Sequence, residues 1–160
     1  MKLIGDSIMN QILTFKVGPE SFCLDVHCVT GIEQAPKITR VPLSEKHLLG
    51  MMNLRGQIIP VIDLRILFNQ DNLEKTKEQC YIFINSTKGQ IACLVDAVYD
   101  VVDCSNIKFD QDNTLTSTLQ KEGFIENVFK LNEDLVFIIN IDRIYASVSS
   151  AALVAFKQSA

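Results

Sequence analysis

The sequence predicts a mostly-β protein composed of two similar small modules, each curled into a small barrel. Hydrophobic and polar side chains alternate in three pairs of short segments, which is typical of β-hairpins with one buried face. A shift of 69 residues also places the hydrophobic positions of the first pair, and its tight turn, on those of the second. Small β modules have exposed edges, and curling into packed barrels removes them. Chance similarity between two amphipathic hairpins is the alternative explanation of the shift.

Length and charge limit the class of protein. The chain has 160 residues, which fits one domain or two very small lobes. Its net charge is −4 and its lysines and arginines are scattered, which argues against a nucleic-acid interface and against docking on an anionic membrane surface. The N-terminus is not typical of a signal peptide, and no stretch is apolar enough to cross a bilayer. Five cysteines without a CxxC motif indicate a reduced, cytosolic compartment.

The first hairpin is predicted from residues 12–17 and 22–26, which the turn GPES joins. Hydrophobic residues then recur at every third position over 26–32. This period predicts a short helical or bent segment that ends before Pro36. Residues 38–41 are a candidate short strand.

The middle of the chain contains one strand with an unusual residue. The apolar run 58–64 predicts a strand, although Pro60 lies within it. Because proline has no N–H to donate, this strand lacks a ladder partner on one side there, at a bulge, a barrel corner or a binding edge. Before it, residues 44–50 predict a brief helix capped by its N-terminal serine. After it, the polar segment 69–79 predicts a linker.

The second half of the chain repeats the strand patterns of the first and then adds a third hairpin and a helix. The predicted elements are a hairpin from 80–85 and 90–95, a segment of three-residue period over 95–101, a polar turn-rich segment over 110–123, a hairpin from 124–131 and 135–139, a helix over 141–148, and a tail that forms a weak terminal helix or a frayed end.

Arg55, in the segment NLRG, is a candidate binding residue. Gly56 predicts a tight bend directly after it. An arginine presented on such a bend can form a bidentate pair with a carboxylate. A solvent-facing loop charge is the alternative.

Four aliphatic residues are candidates for a partner-binding surface: Val29 and Ile32, and at the same relative positions Val98 and Val101. Each pair follows a predicted strand, where a short segment can shield a barrel end or line the seam between lobes. Partly exposed, such residues form an apolar patch of the kind that marks a partner site. Ordinary core packing is the alternative.

No catalytic residue, metal ligand or cofactor site is predicted. His27, Cys23 and Cys28 lack a recognisable metal-ligand spacing, and the chain has no nucleophile elbow, GxGxxG or P-loop. A β-barrel module that binds a ligand or a nucleic acid is one alternative function. The absence of tryptophan, and aromatic residues placed among apolar neighbours, argue against it. An enzyme based on cysteine chemistry is another alternative.

The segment NLRGQIIPVIDLR, preceded by Gly50, resembles the central motif of CheW-like domains, the coupling proteins of bacterial chemotaxis. ILTFKVGPESFCLDVHCVTGIE resembles the opening hairpin of this family, ITRVP its third strand, IACLVDAVYDVVD its central second-lobe strand, and LVFIINIDRIY its final strand and helix. The resemblance covers residues 11–147 and implies a single domain there, followed by a C-terminal tail over 148–160. The lobes would begin at about residues 11 and 80, with or without exchange of strands between them.

The resemblance implies a fold of two intertwined, five-stranded β-barrel lobes packed around a shared hydrophobic seam. It also implies a non-catalytic adaptor in the cytoplasm, recruited to receptor arrays at the inner membrane. Such an adaptor couples chemoreceptors, the methyl-accepting chemotaxis proteins, to the regulatory domain of the histidine kinase CheA. An adaptor of another chemosensory pathway, such as twitching motility, is the alternative within the family.

The resemblance further implies a receptor-binding surface. One helix of the receptor tip would place an apolar stripe in the groove between the lobes. Val29, Ile32 and Met51 would line this groove. Arg55 would meet a receptor carboxylate or hold a nearby loop.

A kinase-binding surface is implied on the second lobe, where Val98 and Val101 would contact CheA. One position departs from the family, because Gly31 stands where members often carry glutamate. A glutamate at that position would balance or position Arg55. Glu33 could substitute for it.

Overall fold

The computed structural model describes residues 2–4, 7–42, 44–70, 74–107 and 123–148. In these residues the backbone forms twelve strands and two short α-helices, with 3-10 turns at Val26–Cys28 and Cys104–Asn106. The strands are β1 (Lys2–Ile4), β2 (Ser7–Met9), β3 (Gln11–Val17), β4 (Glu20–Asp25), β5 (Val29–Glu33), β6 (Leu48–Leu54), β7 (Gln57–Asp63), β8 (Cys80–Asn85), β9 (Gln90–Val95), β10 (Ala97–Asp103), β11 (Ile125–Leu131) and β12 (Asp134–Ile139). The helices are α1 (Leu64–Leu67) and α2 (Ile141–Ala146).

Ten of the strands form two five-stranded sheets, and each sheet takes strands from both halves of the chain. Sheet A has the order β10-β3-β4-β12-β11, and sheet B has the order β5-β8-β9-β7-β6. The pairs β4–β12 and β7–β9 are parallel, and the other neighbours in both sheets are antiparallel. The remaining strands, β1 and β2, form a separate antiparallel pair.

The 69-residue shift relates the two sheets. In the first hairpin Leu13 pairs with Leu24, and in the second Ile82 pairs with Cys93. The third strand of each repeat then leaves its own sheet: β5 pairs with β8, and β10 pairs with β3. The two sheets are therefore interleaved.

The predicted mostly-β class, with two five-stranded units, is confirmed. The sheets are open, however. Within the described residues no ladder joins β10 to β11 in sheet A or β5 to β6 in sheet B. Curvature of each unit therefore comes from twist and from bulges, rather than from closure by hydrogen bonds.

The segments of three-residue period are strands, and the helical interpretation of them is wrong. Apart from the 3-10 turn at Val26–Cys28, these segments form β5 and β10. Each of them carries a β-bulge, so that Val98 and Val101 pair with Phe15 and Leu13, which are only two positions apart. Because a bulge adds one residue to its strand, positions three apart lie on the same side of it. The spacing is the signature of a bulged strand.

The brief helix predicted over residues 44–50 is also wrong. Ser44 Oγ donates a hydrogen bond to the Val41 carbonyl, 2.8 Å away, so its hydroxyl stabilises a turn. Leu48 already begins β6. The candidate strand over residues 38–41 is reduced to a single bridge between Thr39 and Met51.

The predicted linker over residues 69–79 has no helix or strand in its described part, which excludes 71–73. The third hairpin forms as β11 and β12, and the helix after it as α2. Two predicted segments lie outside the described residues: the turn-rich segment up to residue 122, and the tail from residue 149 onward.

Hydrophobic side chains of both sheets meet in one large buried cluster, called here the seam cluster. Its members include Leu13, Phe15, Val17, Phe22 and Leu24 of sheet A and Met51, Ile62, Ile82, Ile84, Ile91 and Cys93 of sheet B. Alternate residues face smaller clusters, one including Ile12, Cys23 and Ile138 of sheet A and one Ile59, Val61, Phe83 and Ala92 of sheet B. Both faces of the central strands are therefore buried, which explains why the run over residues 58–64 is apolar almost throughout.

Pro60 lies opposite Met51 in the β6–β7 hairpin. The N–H and C=O of Met51 both bond to Thr39, at 2.7 and 2.8 Å, so the Met51–Pro60 pair is not joined by hydrogen bonds. The nitrogen of Pro60 therefore points away from β6, to the side where β9 joins the sheet. On that side the parallel ladder with β9 begins only at Val61. Proline at position 60 therefore costs the sheet no hydrogen bond, although it has no N–H to donate.

Gly50 is required by the approach of the segment that contains Thr39. Its φ is +155°, and an added Cβ would lie 2.8 Å from Ile38 Cγ2 and closer still to the Thr39 carbonyl oxygen. Gly50→Ala is expected to lower the free energy of unfolding by about 1–3 kcal/mol, since the backbone of Thr39 must move. Urea denaturation measures the change. In the control, Gly31→Ala, the nearest atom is 3.6 Å away, and an equal loss there would contradict this explanation.

Candidate functional site

Arg55 lies at the tip of the hairpin that joins β6 and β7. Arg55 and Gly56 have φ values of +52° and +82°, and such a pair of left-handed residues forms the tight two-residue turn that suits the twist of a hairpin. Asn53 Oδ1 accepts a hydrogen bond from the Gly56 N–H at 3.0 Å. The turn therefore holds Arg55 outward, as the sequence predicts for a bend.

The backbone of Arg55 is in a region that a non-glycine residue enters at a cost of about 1 kcal/mol. Its side chain is exposed and has no hydrogen bond or ion pair within the described residues. Two of the four non-glycine residues with positive φ in the described chain are asparagine, Asn69 and Asn132, which tolerates this region. An arginine at this tip is therefore unfavourable for folding.

Val29 and Ile32 lie on β5, the edge strand of sheet B. Ile32 is 46% exposed, whereas Val29 is half-buried and packs against the seam cluster. The bulge in β5 puts the two side chains on one side of the strand, opposite Ile84 and Ile82. Together they form a small apolar surface that begins at the seam and ends in solvent.

Met51 does not belong to this surface. Its side chain is fully buried in the seam cluster, and so it has no area to offer a partner. The sequence shows only an apolar residue near Arg55, and that pattern does not distinguish a groove from a core. Met51 supports the hairpin from inside.

Val98 and Val101 lie on β10, the edge strand of sheet A. Val101 is 51% exposed, and Val98 is half-buried against the seam cluster. They repeat the arrangement of Val29 and Ile32 on the other sheet. The neighbouring Tyr99 is 54% exposed.

A buried hydroxyl fixes the bulge of β10. Thr14 is 6% exposed, and its Oγ1 donates to the Asp100 carbonyl at 3.1 Å and accepts from the Asp100 N–H at 3.3 Å. These bonds replace the ladder bonds that the bulge interrupts. The position of Tyr99 and Val101 is thereby tied to a core residue. Sequence reasoning missed both Thr14 and Tyr99, since neither stands out from an alternating strand.

The structure groups the predicted binding residues into two pairs and one separate tip. The β5 pair and the β10 pair lie on different sheets. Arg55 lies at the β6 end of sheet B, whereas Val29 and Ile32 lie at the β5 end of the same sheet. Strand pairing therefore gives the molecule separate edges, each with its own exposed side chains.

Asp63 and Arg65 form a buried ion pair that sequence reasoning missed. The guanidinium donates from Nε to Asp63 Oδ1 at 3.0 Å and from Nη2 to Oδ2 at 2.8 Å. The side chains are only 7% and 2% exposed for Arg65 and Asp63, and the hydrogen bonds from Arg65 to Asp63 raise the pKa of the arginine. Asp63 also caps α1 by accepting from the Arg65 N–H at 2.9 Å. An aspartate at the end of a strand, two residues before an arginine, is the signal that could have revealed the pair.

The cysteines do not form an activated thiol site within the described chain. Burial raises the pKa of Cys23 and of Cys93, so both thiols are protonated at neutral pH. Burial and the nearby carboxylates of Asp25 and Asp142 also raise the pKa of Cys28. These three thiols therefore lack the lowered pKa of a reactive cysteine. The described residues include no cluster of histidine, cysteine and acidic side chains suited to a metal ion.

Two interleaved sheets with apolar edge strands and a strained, charged hairpin tip define a protein-binding scaffold. Comparison with protein families identifies the family of this scaffold. The chain belongs to the CheW-like domain family, whose model matches residues 11–149. The prediction of a non-catalytic scaffold of chemotaxis is thereby confirmed. No helix in the part of the chain that the structure describes has the length and hydropathy needed to span a bilayer.

Individual relatives agree with this family. The chain is 27% identical to the chemotaxis protein CheW of Klebsiella aerogenes over 146 residues, which cover 91% of this chain and 87% of that protein. It is 30% identical to the chemotaxis protein CheW of Bacillus subtilis over 131 residues, which cover 76% of this chain and 84% of that protein. The crystal structure of the scaffolding protein TtCheW from Thermoanaerobacter tengcongensis superposes with a TM-score of 0.71 at 29% identity and covers 84% of this chain and 90% of that one.

Proposed function

We propose that this chain couples chemoreceptors to the regulatory domain of the histidine kinase CheA. The observation that carries the proposal is the presence of two equivalent apolar edge strands, β5 and β10, on the two sheets of a single molecule. A coupling protein needs two binding surfaces held at a fixed separation. A catalytic centre is not required.

The receptor surface that we propose has two parts, at opposite ends of sheet B: Val29 and Ile32 on β5, and Arg55 at the tip of the β6–β7 hairpin. An amphipathic helix of the receptor tip would bury Ile32 and the exposed part of Val29 under its apolar stripe. Arg55, which has no hydrogen bond or ion pair within the described chain, would pair with a receptor carboxylate in the bidentate geometry that guanidinium favours. Met51 would contribute indirectly, by fixing the hairpin from the core.

The resemblance implies that family members often carry glutamate where this chain has Gly31, and such a residue would add a negative charge to the receptor surface. An added Cβ at Gly31 would lie 3.6 Å from Phe83 Cδ2, which is an ordinary contact. The backbone therefore accepts a side chain at this position. In this chain the exposed Glu33, two residues further on in β5, would supply a negative charge on the same strand.

The kinase surface that we propose is β10, with Val98 and Val101 as its contacts. Contact with the kinase would remove the exposed apolar area of Val101 and the exposed part of Val98 from water. Each interface is expected to be small, below about 1,200 Å² of total buried surface. In an array at the cytoplasmic side of the inner membrane, many such contacts add avidity.

Binding of two purified fragments tests the proposal. The chain is expected to bind both a receptor signalling fragment and the CheA regulatory domain, each with a Kd on the order of 10 µM or tighter, in titration calorimetry. Substitution of Ile32 by Ser should weaken the receptor complex alone, and substitution of Val101 by Ser the kinase complex alone. Failure to bind either fragment at such concentrations would reject the adaptor role.

A further inference from the structure

We propose that Asp96 is a positioning residue that sets the relative orientation of sheets A and B. This inference rests on the proposed function, since the orientation of the sheets fixes the separation between the receptor and kinase surfaces. Asp96 contacts neither proposed surface itself. It acts through the backbone that joins the sheets.

Asp96 stands where the chain passes from one sheet to the other. It is the single residue between Val95, which ends β9 in sheet B, and Ala97, which begins β10 in sheet A. Its N–H donates to the Lys16 carbonyl at 2.9 Å, and its Oδ2 accepts from the Gly18 N–H at 2.6 Å. One carboxylate oxygen thus holds the β3–β4 turn of sheet A.

The other carboxylate oxygen faces groups attached to sheet B. Asp96 Oδ1 accepts from Gln79 Nε2 at 3.5 Å and lies 4.0 Å from Arg65 Nη1. Arg65 is in turn fixed by the buried carboxylate of Asp63 at the end of β7. The side chain of Asp96 is 18% exposed, so water screens this network only in part.

The turn that Asp96 holds is tightly packed against the segment that connects β7 and β8, two strands of sheet B. Gly18 has a φ of +60°, and an added Cβ would lie 2.6 Å from Gln70 Cδ. Gln70 follows α1 and donates from Nε2 to Glu20 Oε2 at 3.3 Å. A shift of the Asp96 carboxylate therefore moves a close contact between the two parts of the molecule.

The opposite crossing, from β4 in sheet A to β5 in sheet B, is built differently. There the chain makes the 3-10 turn at Val26–Cys28, and the carboxylate of Asp25 accepts from the backbone N–H of His27, two residues further on, at 2.9 Å. Asp25 therefore stabilises its own turn. Of these two crossings, the one at Asp96 has the carboxylate that bonds to groups attached to both sheets.

The variant Asp96→Asn tests the inference. The amide puts an NH₂ group in place of one oxygen, so that either the Gly18 N–H or the Gln79 and Arg65 donors face another donor. The expected results are a measurable rotation between the sheets, from residual dipolar couplings fitted to each sheet separately, and a roughly fivefold or larger loss of affinity for the second partner once the first is bound. Binding of the receptor fragment alone should change less than about twofold, because its surface lies on sheet B.

The control is Asp134→Asn, which makes the same change in charge at an exposed position of β12 and should alter neither readout. If Asp96→Asn does not fold, Asp96→Glu, which keeps the charge and lengthens the side chain, is measured in the same way. An unchanged sheet orientation, or a rotation without loss of the second partner, overturns the positioning role. If the unmodified chain binds neither fragment, the proposed function fails. The orientation of the sheets then tests the inference separately, because an Asp96→Asn variant whose sheets keep their original orientation would reject the positioning role.

Discussion

Arg55→Glu is expected to lower the affinity for the receptor fragment roughly tenfold or more. The reason is that the positive charge proposed to bind a receptor carboxylate is replaced by a negative charge that repels it. The free energy of unfolding should stay within about 0.5 kcal/mol of its original value, since Arg55 is exposed and its side chain has no hydrogen bond or ion pair in the described chain. Glutamate pays the same conformational cost at positive φ as arginine does. Titration calorimetry and urea denaturation separate the two quantities, and assembly of receptor arrays should weaken in parallel.

Arg55→Asn is the informative companion of this variant. Asparagine tolerates the left-handed conformation at the hairpin tip, so the variant should be more stable by about 0.5–1 kcal/mol. It should nevertheless bind the receptor fragment more weakly, because the positive charge is gone. A gain in stability with a loss of binding would show that the arginine is kept for recognition. Full binding by both Arg55 variants would refute the role proposed for this side chain.

Arg65→Met is expected to have the largest effect on stability, a loss of about 3–5 kcal/mol in the free energy of unfolding. The carboxylate of Asp63, with a side chain only 2% exposed, would be left without a cation in an apolar environment. The hydrogen bond from Arg65 Nη1 to the Glu74 carbonyl, at 3.4 Å, would be lost as well. Urea denaturation at neutral pH measures the change.

Two further variants separate the ion pair from other effects of this substitution. Arg55→Met makes the same exchange at the exposed arginine and should change stability by less than about 0.5 kcal/mol. The double variant Asp63→Leu with Arg65→Met removes both charges and should recover much of the loss, since no uncompensated carboxylate is buried. A loss below about 1 kcal/mol for Arg65→Met alone would mean that the pair behaves as a surface ion pair.

The hairpins and the repeat could be predicted from the sequence because alternation is a local property. Leu13, Phe15 and Val17 share a face in any strand, whatever lies across from them. The three-residue spacing of Val98 and Val101 was harder to interpret. A helix and a bulged strand give the same spacing, and the choice depends on a distant residue, Thr14, whose hydroxyl bonds to the backbone at the bulge.

The candidate site could be predicted in part for the same reason. The position of Arg55 follows from the glycine after it, which specifies a turn. The burial of Met51 could not be predicted, because it depends on which strand of the other half packs against β6. The link of Asp63 and Arg65 to Asp96 likewise could not be predicted, because it requires the crossing of strands between sheets, which no local pattern encodes.

The interleaving of the strands also bears on how the chain acquires its structure during synthesis. Every strand of sheet B lies before residue 96, so that sheet can assemble while translation continues. In sheet A, β3 must wait for β10, which ends at Asp103, and β4 must wait for β12, which ends at Ile139. A nascent chain therefore carries uncovered apolar strands for much of its elongation, which is the condition under which aggregation competes with folding. Neither half could be excised by a truncation and still fold, since each sheet borrows strands from the other half.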